Sequence, residues 1–342
     1  MPKTHGDLWE DITNWDNLYL AYLEARRDKR FSCEALRFAE HLEENLFNIQ
    51  NHLLWGSWNP GPWREFWVTD PKMRLIQAPS FSDRVVHHAL VDRIEPLFER
   101  KMIFDSYACR KGKGTHGAVQ RLQAMLRKTR RKWGEVYVLK ADISKYFPSI
   151  NHARLQEILA RTIRDPNVLW LCKRIIKGGG YEARGIPVGA LTSQLFANVY
   201  LDQLDHHIKD HLGVKHYVRY MDDFVILAKS KSDLWELLDR LQDYLAIDLK
   251  LSLNPKTEIY PASKGVNFAG YRTWSTHILP RKRNIKRTRH NFRALARSYT
   301  AGKVGLDYIK PRLMSFLGYV KHCNAWRTTS SILNELVLSK NF

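Results

Sequence analysis

Residues His216 to Ala228, HYVRYMDDFVILA, leave the chain few options. Two apolar runs of strand composition meet at a polar Asp222-Asp223 step, which reads as a hairpin carrying carboxylates at its tip. An Asp-Asp turn alone is ordinarily a hydrated bend, so its neighbours decide what it means. Upstream, EVYVLKADI (Glu135 to Ile143) alternates as another strand and sets Asp142 near its C-terminal end. If the two strands are neighbours, three carboxylates can meet, and hard divalent cations such as Mg²⁺ take such oxygen ligands. Phosphoryl transfer from a nucleoside triphosphate uses two such ions roughly 3.5–4 Å apart.

The rest of the pattern supports an enzyme-sized α+β fold. Residues 1 to about 55 read as mostly helical, and WGSWNPGPW then breaks the pattern. FWVTDPKMRLIQ (Phe66 to Gln77) alternates like a hairpin bending at Asp70 and Pro71, and a helix follows from Ser82 to Phe98. A basic glycine-rich loop, YACRKGKGTHGA, leads into a helix whose end, Arg127 to Lys132, holds five positive charges in six residues and suits a solvated helix end. Leu191 to Ile208 has helical spacing. An Asp233-x-x-Glu236 start signal precedes a stripe of Leu234, Leu237, Leu238, Leu241 and Leu245, read as core. The order from Glu135 to Tyr271 predicts an antiparallel sheet with helices on one face. Beyond Pro280 the chain becomes helical and basic, with Arg281, Lys282, Arg283, Lys286, Arg287 and Arg289 in one block.

Charge narrows the partner. The chain has 342 residues, 55 Lys and Arg against 35 Asp and Glu, and a formal charge of +20, which draws polyanions in a salt-dependent way. The four cysteines show no paired or Cys/His metal spacing, so neither a zinc module nor a disulfide framework is expected, and a reducing cytosol is the natural setting. The N-terminus lacks an apolar signal core and no run of about 18 apolar residues offers a span, so a cytoplasmic protein off the membrane is expected. His87-His88 and His206-His207 lack a third ligand and read as packing rather than metal sites.

Taken in order, these segments resemble the reverse transcriptases of the group II intron-like superfamily, and within them those of diversity-generating retroelements, along essentially the whole chain. ADISKYFPSI is similar to the family's first palm motif, YMDD to its second metal motif, LNPKT (Leu253 to Thr257) to its lysine motif, and FAGY (Phe268 to Tyr271) to its primer grip. IPVGALTSQLFANVYL (Ile186 to Leu201) is the subfamily signal: Val188-Gly189 and Ser193-Gln194 stand where most reverse transcriptases carry Gln-Gly and Ser-Pro.

The resemblance implies a right-hand polymerase with an antiparallel palm backed by helices: residues 1–65 an N-terminal helical extension, 66–134 fingers partly interleaved with palm, 135–279 palm, and 280–342 a basic helical thumb. It implies that Asp142, Asp222, Asp223 and the Ile143 backbone carbonyl hold two Mg²⁺ ions, with Mn²⁺ as a possible substitute. Lys256 would stabilise the departing pyrophosphate. Lys72 and Arg74 would clamp the triphosphate, Phe147 would exclude a ribose 2′-hydroxyl, and Val188, Gly189 and Gln194 would line the nucleotide pocket. Tyr220, Met221, Phe268, Gly270, Tyr271, Arg281, Arg283, Lys286 and Arg287 would meet primer and template. The implied reaction is cDNA synthesis from a retroelement template RNA, error-prone at template adenines because Val188 lacks a glutamine's polar contacts, as in mutagenic retrohoming. Implied partners are the template RNA, the cDNA/RNA hybrid, deoxynucleoside triphosphates and a small basic oligomeric accessory protein, in a bacterial or phage-encoded setting. Retron, group II intron-like or defence-associated enzymes share the three aspartates. A catalytically silent RNA-binding protein would need only the charge.

Overall fold

The computed structural model describes residues 4–69, 73–179 and 182–339. Along the chain run α1 (Trp9–Thr13), α2 (Trp15–Ala25), α3 (Cys33–Glu40), α4 (Leu42–Leu54), β1 (Arg64–Val68), β2 (Arg74–Ala78), α5 (Phe81–Glu99) and α6 (Thr115–Trp133). Next come β3 (Tyr137–Asp142), α7 (Tyr146–Ser149), α8 (His152–Ala160), α9 (Pro166–Lys177), α10 (Leu191–His206), β4 (Tyr217–Tyr220), β5 (Asp223–Ala228) and α11 (Lys231–Ile247). The last elements are β6 (Glu258–Pro261), β7 (Val266–Phe268), β8 (Tyr271–Thr273), β9 (Ile278–Pro280), α12 (Lys282–Thr300), α13 (Leu306–Val320) and α14 (Trp326–Glu335). The α+β class read from the sequence holds. Among the described residues no helix is long and apolar enough to cross a membrane.

The chain divides into two compact units, each discontinuous in sequence. The first comprises residues 1–104, 143–213 and 240–255. Its centre is α5, whose apolar positions Val85, Val86, Ala89, Leu90 and Ile94 are fully buried. Buried Asn17 fastens α2 to α5: its amide donates to the Ile12 and Ala89 carbonyls, at 2.9 and 3.1 Å, and its Oδ1 accepts from Arg93 Nε at 2.8 Å. Asp165 caps α9 through the Asn167 and Val168 amides and also accepts from Leu8 and Trp9, tying the N-terminus to the unit. One carboxylate thus satisfies two helix starts that would otherwise leave orphan N–H groups. The β1–β2 hairpin forms as expected; its bend at Asp70 and Pro71, and Lys72 with it, lie outside the described residues.

The second unit comprises residues 105–142, 214–239 and 256–342. Its four-stranded antiparallel sheet has the order β4-β5-β3-β6. Val138, Val218, Val225, Leu227 and Tyr260 share one face with Leu122, Met125 and Leu126 of α6. Residues 105–107 cover the outer edge of β4 through a parallel bridge, Tyr107 and Arg219 amides donating to the Arg219 and Asp105 carbonyls, so that edge is not left open to pair with another chain. A second sheet, β7-β8-β9, follows, and α12 to α14 enclose a small core of Phe292, Phe316, Val320 and Ile332.

One local expectation needs correcting. α11 begins at Lys231, two residues before Asp233, because Ser230 Oγ accepts the Asp233 amide at 3.1 Å. A serine upstream is an equally good cap for the first turn, so the Asp233-x-x-Glu236 pair falls inside the helix.

Candidate active site

β3 and β5 pair antiparallel from Tyr137↔Ala228 to Asp142↔Asp223, so the two aspartates are direct cross-strand partners at one end of the sheet. Directly opposed residues project to the same face with Cα atoms about 4.5–5.5 Å apart. Asp222 is in the two-residue turn joining β4 to β5, beside the Tyr220↔Asp223 pair. Within that turn Met221 has φ 57° and Asp222 does not share the positive sign, the pattern of a turn that favours glycine at its first central position. A side chain in that conformation stores strain, which persists only where the surroundings overdetermine it. Arg219 supplies part of that determination: its fully buried guanidinium donates to the Met221 carbonyl at 2.9 Å. Sequence reasoning missed Arg219, although a lone arginine in an apolar run was a visible signal.

Lys140, also missed, lies two residues before Asp142 and therefore on its face of the sheet. Its ammonium pairs with Asp223 Oδ1. Burial pulls its pKa down to about 8, against the fields of Asp142, Asp222 and Glu258 and together with that of Arg281. Among the described residues no group of three or more His, Cys, Asp or Glu side chains stands ready to enclose a metal ion. The donor chemistry nevertheless fits a hard cation: two opposed carboxylates and a third in the adjoining turn, with a lysine ammonium drawn onto one of them.

Other expected residues of this unit gather at the FAGY hairpin. Phe268 and Tyr271 close the β7–β8 ladder, with Ala269 (φ 43°) and Gly270 (φ 89°) as its turn. The Tyr319 hydroxyl of α13 donates to the Gly270 carbonyl at 2.7 Å and accepts from the Arg281 amide and Asn284 Nδ2, each at 3.2 Å. Tyr271 is buried, its hydroxyl donates to the Tyr319 carbonyl at 2.8 Å, and burial pushes its pKa up. Thr115 Oγ1 donates to the Tyr220 hydroxyl at 3.0 Å. Arg281 stands at the N-cap position of α12 without a side-chain capping bond, and in that helix Arg283, Lys286 and Arg287 are exposed at spacings of three and four, a single helix face. Lys256 is exposed in the turn before β6.

The remaining expected residues belong to the first unit. Ile143 follows Asp142 directly and is buried, bridged to Leu253. The Gln77 amide of β2 donates to the Val188 carbonyl at 2.9 Å, and the Ile186 amide donates to the Phe147 carbonyl at 3.0 Å. Val188 and Gly189 are thereby brought beside the strand whose first residue is the exposed Arg74, and Phe147 is tied to Ile186, two residues before Val188. Gly189 has φ 132°, and a Cβ there would meet the Gln77 carbonyl oxygen and Ile76 Cγ2 at 2.9 Å each. Gln194 is exposed on the first turn of α10, while Ser193 beside it is buried.

Comparison with known proteins follows the same segments. A sequence profile described as reverse transcriptase (RNA-dependent DNA polymerase) matches residues 69–273. Protein YkfC of Escherichia coli (strain K12) is 26% identical over 269 residues, covering 66% of this chain and 70% of YkfC. Group II intron-encoded protein LtrA of Lactococcus lactis subsp. cremoris is 24% identical over 302 residues, covering 67% of this chain and 49% of LtrA, so the chain spans about half that relative's length. Among solved structures, apo telomerase from Candida tropicalis, truncated from its C-terminal domain, is 14% identical with a TM-score of 0.48, over 70% of this chain and 60% of that one.

Proposed function

We propose, from the premise that this chain belongs to the reverse transcriptase (RNA-dependent DNA polymerase) family, that it copies an RNA template into DNA at Asp142, Asp222 and Asp223. The fold is that of a right-hand polymerase; we assign the carboxylate-bearing sheet to the palm, the β1–β2 hairpin to the fingers and α12 to α14 to the thumb. The observation that carries the reading is the cross-strand pairing of Asp142 with Asp223 and the strained turn that fixes Asp222 beside them.

These carboxylates, with the Ile143 carbonyl, would hold two Mg²⁺ ions, or Mn²⁺ in their place. Such ions, when bound, activate a primer 3′-hydroxyl and neutralise charge on the triphosphate. The chain's own residues do the positioning. Lys140 holds Asp223 through its ammonium and would have to yield it for a metal ion to bind there. Lys72 and Arg74 grip the triphosphate, Lys256 stabilises the leaving pyrophosphate, and Phe147 crowds a ribose 2′-hydroxyl. Tyr220, Met221, Phe268, Gly270 and Tyr271 seat the primer end, and the basic face of α12 holds the hybrid's phosphates.

Val188 presents a branched apolar side chain where a glutamine would offer hydrogen bonds to the nucleotide, and its carbonyl is already taken by Gln77. That supports an error-prone enzyme of a diversity-generating retroelement, working with a small basic accessory protein in mutagenic retrohoming. Likeness to LtrA favours a second reading, a group II intron-like enzyme of ordinary fidelity. Primer extension on RNA with Mg²⁺, comparing the natural chain with Asp222→Asn/Asp223→Asn and sequencing the products, tests both. We expect cDNA that falls at least about a thousandfold in the variant, some 4 kcal/mol of barrier, with errors concentrated at template adenines. Accurate cDNA would select the second reading. RNA binding without incorporation in the natural chain would remove the enzyme.

A further inference from the structure

At the other end of the palm sheet from the carboxylates, a cavity of about 350 Å³ opens between the end of α6 and the β6–β7 and β8–β9 segments. Arg130, Gly134, Ser263, Trp274 and Ser275 line it. Arg127 Nε donates to the Ser275 carbonyl at 2.8 Å and Arg130 Nη1 to the Ser275 hydroxyl at 3.0 Å. Both acceptors are neutral. Among the described residues neither guanidinium forms an ion pair with a carboxylate, so the remaining N–H groups of each planar fork are available to a further acceptor. Lys128, Arg131 and Lys132 are exposed on the same helix end.

The wall opposite is built rather than loose. Trp274 donates Nε1 to the Ser263 carbonyl at 3.0 Å, stacks on His277 with centroids 4.5 Å apart, and lies against the Arg272 guanidinium at 5.1 Å. Gly265, at φ 77°, leaves the room that Trp274 occupies. Glu135, the acid among the lining residues, accepts from the Tyr137 hydroxyl and keeps its negative charge, which leaves the arginine side as the seat for an anion. The Gly134 and Glu135 amides take up two of the four terminal carbonyls of α6, those of Arg130 and Trp133.

We propose that this cavity and the Arg127–Arg130 pair form a phosphate-binding site for the backbone of the RNA, separate from the carboxylate end. Oriented guanidinium forks and serine hydroxyls at the rim of a cavity are the donors that recognise phosphate oxygens and carry no base code. Along the chain the lining residue Val136 stands six residue steps from Asp142, roughly 20 Å at about 3.3 Å per step. The cavity anchors template RNA beyond the stretch being copied. The site rests on the reading that the chain handles RNA, and the experiment separates the two.

Arg127→Gln/Arg130→Gln is compared with the natural chain for binding of a 60-nucleotide structured RNA across salt concentrations, and for kcat at saturating short primer–template. Two lost phosphate contacts should weaken long-RNA binding about tenfold and shrink the slope of log K against log salt by about 1.4–1.8, with kcat unchanged. Arg127→Lys/Arg130→Lys keeps the charge and should keep most of the slope, which guards against a folding defect. Unchanged affinity and slope in the glutamine variant would overturn the site, as would loss of poly-glutamate binding with RNA binding intact, the signature of an acidic protein partner. A natural chain that makes no cDNA yet loses RNA affinity in the variant would sink the polymerase reading and leave this site standing.

Discussion

Replacing Gly189 by alanine tests whether the Val188-Gly189 segment is held against β2 as a fixed element of the nucleotide pocket. The residue has φ 132°, a region L side chains rarely enter, which costs about 1–3 kcal/mol. The new Cβ would sit 2.9 Å from both the Gln77 carbonyl oxygen and Ile76 Cγ2, and one of these is backbone. The loop must therefore lift, weakening the hydrogen bond from the Gln77 amide to the Val188 carbonyl, a further ~1 kcal/mol. Together these predict a loss of about 2–4 kcal/mol. Gly213 is the control: its φ of 65° is also positive, but a Cβ there meets nothing within 4 Å, so its alanine variant should lose only ~1–2 kcal/mol. Urea unfolding followed by circular dichroism gives both numbers. If the segment lines the pocket, the KM for deoxynucleotide should also rise, on the order of tenfold to a hundredfold, for a displacement near 1 Å. An alanine variant of Gly189 that is no less stable than that of Gly213, with KM unmoved, would refute the reasoning.

Lys140→Met should lower the melting temperature in chelator, because the ammonium that pairs with Asp223 beside its cross-strand neighbour Asp142 is then gone, and Mg²⁺ should restore more stability to the variant than to the natural chain; equal Mg²⁺ shifts in both would count against a shared cation site. Tyr319→Phe removes a hydroxyl that bonds Gly270, Arg281 and Asn284 and should cost about 2–3 kcal/mol while deprotecting the Arg281 amide in hydrogen exchange; unchanged protection would show that the contact holds nothing. His87 is buried with Nδ1 3.3 Å from Thr192 Oγ1, and burial first, then His88 and Arg84, pull its pKa from 6.5 to about 3. Between those values the unfolded chain takes up a proton that the folded one refuses, so stability should fall by about 1.4 kcal/mol per pH unit on acidification. His87→Gln should flatten that slope below pH 6.5, and an identical acid profile in the variant would contradict it.

Much of the fold was legible locally. The period-two runs around Asp142 and Asp222-Asp223, and the leucine spacing of α11, required no distant partner to be read, since strand and helix periods decide which side chains share a face. The same periodicity could have exposed Lys140, two residues from Asp142. The start of α11 was misplaced because two capping signals compete within three residues and only the folded backbone chooses Ser230.

What the sequence by itself determined is the inventory: three aspartates on strands able to bring them together, a basic surplus, and motifs in a fixed order. What only the tertiary structure decided is which groups across the chain hold that inventory in place. Lys140 meets Asp223 across 83 positions, Tyr319 caps the Gly270 turn across 49, and Arg130 reaches Ser275 across 145. None of these pairs follows a local period. Strand register and helix docking set them, and those are chosen by the burial of whole faces rather than by any residue's own preference.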